Sequence, residues 1–132
     1  MQIPNKTLRS GLVLLLLLFV GCQTLPTSDV PTAGQSRFSE SQYVEYIVGN
    51  LPVIISAPHG GRLAPPNIPD RARGTFSTDV DTDLLAREIL EAFHKQTGKF
   101  PHMIICHVKR IKVDCNRNLQ DAALGDPGAE KV

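Results

Sequence analysis

The chain has 132 residues, 42% hydrophobic and 20% charged, with 14 basic against 13 acidic side chains, no Trp and 5% aromatic content. At roughly 100–200 residues per domain this is one small domain, and the composition excludes wholesale disorder and a collagen-like or acidic solvating chain. A net charge of +1 removes the electrostatic argument for nucleic acid, so no nucleic-acid partner is expected.

Residues 1–10 carry Lys6 and Arg9 and no acid, and residues 11–20 (GLVLLLLLFV) are an unbroken apolar run. A membrane span needs about 20 such residues, so 1–21 is read as a signal peptide and the protein as exported. Val20-Gly21-Cys22 closes the run and resembles the lipobox of bacterial lipoproteins, although Phe19 is not the Leu usual there. Cys22 is therefore a lipid-attachment candidate that would anchor the chain to the bacterial cell envelope, facing the periplasm or at the cell surface. An ordinary secretory signal cleaved elsewhere, or a short signal anchor, is the alternative. Cys106 and Cys115 remain; in an oxidising compartment they pair if their Cα atoms come within about 7 Å, and otherwise stay separate thiols.

Residues 22–41 are rich in Ser, Thr, Pro and Gly and are expected to be a flexible, lipid-anchored tether to a domain over 42–132. Tyr43, Val44, Tyr46, Ile47 and Val48, then Gly49-Asn50, then residues 52–56 predict a β-hairpin. Val53, Ile54 and Ile55 form a continuous apolar run, as in a strand covered on both faces. Residues 60–78 hold three Gly and three Pro, which excludes a regular helix or central strand and predicts a long loop of the functional kind. Asp81 or Thr82 caps a helix running to Thr97, with Leu84, Leu85, Ile89, Leu90 and Phe93 on one stripe and Gly98 as the stop. Pro101 precedes a second buried-type strand over 102–108. Strand, loop, helix, strand predicts an α/β fold with a right-handed crossover.

Three clusters fall where an α/β sheet places ligands, beyond the carboxyl ends of its strands. His59 sits between Pro58 and two glycines, which let a ligand approach the backbone closely. It is a zinc-ligand candidate or a turn histidine satisfied by backbone. Asp79, Asp81 and Asp83 offer an oxygen ligand, or simply complement the helix dipole. Arg110, Asp114, Asn116 and Arg117 put two guanidiniums and an amide within eight residues. That suits charge-assisted recognition of a carboxylate, against the alternative of a solvated loop in which Asp114 pairs with Arg110.

Taken together, PHGG at 58–61, DVDTDLL at 79–85 and RIKVDCNR at 110–117 resemble the N-formylglutamate amidohydrolases, a family similar to zinc carboxypeptidases. The resemblance spans about residues 52–119. It implies a mixed sheet with flanking helices, the amino-terminal part of a zinc-carboxypeptidase-like (phosphorylase/hydrolase-like) fold. It further implies Zn2+ held by His59 and Asp79, with Asn116 and Arg117 binding the substrate carboxylate. Arg110 would aid that recognition or polarise the scissile carbonyl, and Asp114 would orient the arginines. The substrate would be a small anionic acyl-amino acid or peptide, cleaved at an amide bond. Two departures stand out. The position three after His59, where carboxypeptidases carry a Glu, is Arg62. The family's third ligand, a His, and its general-base Glu lie well beyond the D-x-N-R segment, whereas only 15 residues follow Arg117 here, with no His and one Glu, Glu130. An amino-terminal part, or a non-catalytic lipoprotein that binds a carboxylate without metal, is thus the expected form.

Overall fold

The structure, a computed structural model, describes residues 30–132. The signal segment, Cys22 and the rest of the expected tether up to residue 29 lie outside the described residues. Among the described residues no helix is long and apolar enough to cross a membrane.

Strands β1 (Ser36–Phe38), β2 (Val44–Ile47), β3 (Ile54–Ala57) and β4 (His102–Cys106) form one mixed sheet in the order β1-β2-β4-β3. Helix α1 (Thr82–Thr97) connects β3 to β4, and a short α2 (Leu119–Ala123) and a single turn at Ala129–Lys131 follow. The class is α/β, as the element order predicts. β3 and β4 are parallel, with Ile54 opposite His102 and Ala57 opposite Ile105. β2 runs antiparallel to β4, with Val44 opposite Cys106 and Ile47 opposite Met103.

The expected hairpin between β2 and β3 does not form, because β4 lies between them. β4 has the most deeply buried side chains of the sheet, Met103 and Ile105, and takes the central position that buries both. Gly49-Asn50 folds around the entry to β4 instead: Asn50 and Leu51 donate their N–H groups to the Phe100 carbonyl at 2.8 and 3.0 Å, and Phe100 donates back to Asn50 Oδ1 at 2.8 Å. A Cβ on Gly49 would fall inside the backbone of Pro101 and His102, so this crossing requires glycine.

Order also reaches further toward the amino terminus than a tether over 22–41 implies. Ser36–Phe38 pairs with the outer edge of β2, Gly34 N–H donates to the Val48 carbonyl at 2.7 Å, and Val48 N–H donates to the Gln35 carbonyl at 3.0 Å. The edge of β2 offers unpaired backbone groups that this polar segment satisfies.

Helix α1 begins and ends as expected, with Gly98 left-handed (φ 69°) and donating to the His94 carbonyl. The residue preceding it is Asp81, but at φ 63° its side chain makes no capping bond; it pairs with Arg62 Nη2 at 2.7 Å. The buried face also departs from the expected stripe. Asp83, Ala86 and Leu90 face the sheet, whereas Leu84, Leu85 and Ile89 are 49%, 54% and 39% exposed. Arg62 explains the rotation: it holds Asp83 Oδ2 at 2.8 Å as well as Asp81, which turns the Asp83 and Ala86 side of the first two turns inward. The core under α1 comprises Ile47, Ala57, Ala86, Leu90, Met103 and Ile105. A second cluster of Ile68, Cys106, Val108, Val113, Ala122, Ala123 and Ala129 seats the carboxyl-terminal segment. The strand of the Val53–Ile55 run is not covered on both faces: Ile54 is 70% exposed and Ile104 beside it 41%.

Candidate functional site

β3 ends at Ala57, and Pro58-His59-Gly60-Gly61 carries the chain across the top of the sheet. Gly60 passes against Thr82 and Asp83, and a Cβ on Gly61 would meet the backbone of His107 and Val108. Both glycines are therefore required for close approach, one to the start of α1 and one to the extension of β4. Beyond them Leu63 bridges Val108 in parallel fashion, with Leu63 N–H donating to His107 O and Lys109 N–H to Leu63 O, both at 2.8 Å. His59 is thereby held, 4% exposed, between the segment before α1 and the loop after β4.

Asp79 and Asp114 close on it from those two sides. His59 Nε2 lies 2.6 Å from Asp114 Oδ1, and Nδ1 lies 3.2 Å from Asp79 Oδ2. Asp79 is fixed by its backbone N–H, which donates to the His59 carbonyl at 3.0 Å. Asp114 is buried beneath a ring of cations: Arg110 Nε at 3.2 Å, and Arg71 Nη2 and Arg117 Nε each at 3.7 Å from Oδ2. The backbone N–H of Asn116 donates to Oδ1 at 3.3 Å. Arg110 also reaches Asp79 Oδ1, at 3.6 Å.

Burial alone pushes the Asp114 carboxyl up; hydrogen bonds from His59, Arg110 and the Asn116 N–H, with the charge of His59, outweigh it and hold the group below the usual carboxylate range. Asp114 is therefore ionised at neutral pH and only accepts, so the hydrogen of His59 sits on Nε2. That leaves Nδ1 facing a second carboxylate, a contact that requires either a proton or a cation between the two atoms.

The donor types suit zinc, and 3.2 Å is an acceptable separation for two neighbouring ligands each about 2.0–2.2 Å from one ion. The number falls short: among the described residues no group of three His, Cys, Asp or Glu could hold a metal ion, and catalytic zinc takes three protein ligands. His59 and Asp79 thus fit as part of a zinc site. The other histidines serve elsewhere. His94 stacks on Phe100, His102 receives Gly49 N–H at 3.1 Å, and His107 Nε2 lies 2.9 Å from Glu45.

Of the residues expected at the site, His59, Asp79, Arg110 and Asp114 come together. Asn116 contributes its backbone and exposes its side chain, while Arg117 is 57% exposed on the rim of an open cleft of about 270 Å³ lined by Arg71, Arg73, Thr75, Asp114, Arg117 and Leu124. Two structural partners were missed in the sequence. Arg71 is buried and donates to the carbonyls of Arg110, Arg73 and Thr75, yet in the loop it reads like its neighbour Arg73. Glu45, on β2, is a buried acid inside a strand, and it gathers Arg87, Ser36 and His107. An acid breaking an apolar strand run was the available signal.

No protein-family model, curated protein or solved structure matches the chain.

Proposed function

We propose that this chain carries part of a zinc-dependent amide hydrolase resembling N-formylglutamate amidohydrolases, with a zinc-carboxypeptidase-like fold. One observation carries the reading: His59 is locked through Nε2 by a buried carboxylate while Nδ1 faces Asp79. This is the arrangement by which proteins orient a metal-binding imidazole, its far nitrogen donating to a carboxylate. Zinc, when bound, supplies a polarised carbonyl and an activated water.

In this reading His59 and Asp79 hold the ion, and Asp114 fixes the imidazole and gathers the arginines. Arg110, largely buried beside both carboxylates, faces the reacting amide. Arg117, with Asn116, captures the substrate carboxylate from the cleft through charge-assisted bonds. The substrate is a small anionic acyl-amino acid or peptide. Export and a lipid anchor at Cys22 favour a peptide of the cell wall.

Zinc content of the full-length chain, beside His59→Ala and Asp79→Ala, tests the metal site: near-stoichiometric zinc lost in both variants is expected. Hydrolysis of N-formylglutamate and of acyl-peptides tests the activity, with Arg117→Ala expected to raise KM by about tenfold or more. The ligand count favours one second reading, a carboxylate-binding lipoprotein without turnover. Absence of zinc together with Arg117-dependent binding of an N-acyl glutamate would assign that function instead.

A further inference from the structure

His59 and Asp79 meet from two segments, the turn after β3 and the lead into α1, with 20 positions of sequence between them. Each segment is anchored just beyond its own ligand candidate. After His59, Gly60 rests against Thr82 and Asp83, and Gly61 against His107 and Val108. After Asp79, the N–H and the hydroxyl of Thr82 both donate to the Asp79 carbonyl, at 3.3 and 2.8 Å, so Asp79 hangs from the first residue of α1. Arg62 joins the two segments: Nη1 donates to Asp83 Oδ2 at 2.8 Å, and Nη2 to Asp81 Oδ1 at 2.7 Å. A guanidinium shortly after His59 therefore grips the chain shortly after Asp79.

Two features give this fork more weight than an ordinary surface ion pair. Asp81 holds φ 63°, a left-handed conformation costly for a residue other than glycine, and its side chain makes no capping bond to the helix; the carboxylate is turned to Arg62 instead. Asp83 is 8% exposed, and among the described residues its Oδ1 accepts no hydrogen bond, so the guanidinium is what satisfies this buried carboxylate. A planar group with two bonds fixes direction as well as distance, which a point charge does not. We propose that Arg62 is a positioning residue: by holding Asp81 and Asp83 it fixes the lead into α1 against the turn after β3, and so sets the 3.2 Å approach of Asp79 Oδ2 to His59 Nδ1. Its effect on zinc rests on the metal site proposed above, whereas the positioning itself does not.

Arg62→Ala would strand the buried Asp83, so the test uses Arg62→Lys, which keeps the charge and loses the fork, and Asp81→Asn, which removes one arm at an exposed residue. Leu90→Val, in the core under the same helix, controls for loss of stability alone. In zinc-free full-length protein in detergent, amide exchange followed by NMR reads the Asp79 N–H, which donates to the His59 carbonyl. Exchange is expected to be about tenfold faster in Arg62→Lys, about threefold faster in Asp81→Asn, and within about twofold of wild type in Leu90→Val. On zinc titration the Kd should rise by about tenfold or more in Arg62→Lys and stay within about twofold in Leu90→Val. An Asp79 amide unchanged in Arg62→Lys, equally fast exchange in Leu90→Val, or a zinc Kd unchanged in Arg62→Lys would each overturn the proposal. Wild-type protein that takes up no zinc would instead remove the metal site, and the amide exchange would still decide the role of Arg62.

Discussion

Replacing Asp114 by Asn tests the assignment of this carboxylate as the hub between sheet, loop and His59. The side chain is 1% exposed, and the side chains of Arg71 and Arg110 that face it are 3% and 12% exposed. An amide retains an oxygen for the His59 hydrogen or for Arg110, not both, and presents its NH2 to a cation. Removing one partner of a buried ion pair leaves an uncompensated charge and costs about 3–5 kcal/mol; the hydrogen bond that Asn keeps returns part of it, so about 3 kcal/mol is expected. Arg117, over half exposed, adds little. Against a total stability of about 5–15 kcal/mol this is a large fraction. At about 4–8 °C per kcal/mol for a domain of this size it lowers the melting midpoint by about 12 °C or more. Urea denaturation followed by circular dichroism measures it, with Arg117→Ala as a control expected to lose under about 1 kcal/mol. A loss below about 1 kcal/mol for Asp114→Asn would refute the hub, and equal losses in both variants would place the energy at the cleft rim.

Acid should destabilise the protein through two groups. Burial raises the Glu45 carboxyl, but the bonds from Arg87, Ser36 and His107 and the charge of Arg87 bring it below its ordinary range, as happens at Asp114. With folded-state pKa values below those of the unfolded chain, their stabilisation is complete above about pH 5 and is lost as pH falls through about 4 and below; Glu45→Gln should flatten that decline in melting curves taken from pH 7 to 3. Leu90→Ala should cost about 2–5 kcal/mol, whereas Leu85→Ala on the same helix should stay within about 0.5 kcal/mol; equal losses would mean that the apolar stripe, not the Ala86–Leu90 face, meets the sheet. Gly61→Ala should abolish cooperative unfolding, since its Cβ has no space beside His107, and a variant that melts near wild type would refute the close crossing.

Local signals in the sequence located α1, its glycine stop and β4, because each is written in a few adjacent residues: a stripe ended by Gly98, and an apolar run behind Pro101. Pairing was not legible in the same way. Gly49-Asn50 carries the composition of a hairpin turn, and only the competition of β4 for the centre of the sheet makes it a wrap around Phe100. The rotation of α1 depended on Arg62, which lies 19 residues before Asp81 and 21 before Asp83 and so outside any local window on the helix. His59, Asp79, Arg110 and Asp114 were legible as chemistry, since their residue types announce ligands and ion pairs. Arg71 was not, because an arginine satisfied by three carbonyls differs from a solvated one only in its surroundings.

The central place of β4 sets the order in which the molecule is assembled. β1, β2 and β3 are all made before it, yet β2 and β3 find their sheet partner only after the whole helix has followed. The nascent chain therefore spends that interval with two apolar strands lacking their main neighbour, and closure of the sheet joins segments some sixty residues apart, as between Glu45 and His107. Such non-local pairing makes folding slow relative to helical domains of equal size, and it leaves the early strands as the segments most in need of a chaperone during synthesis.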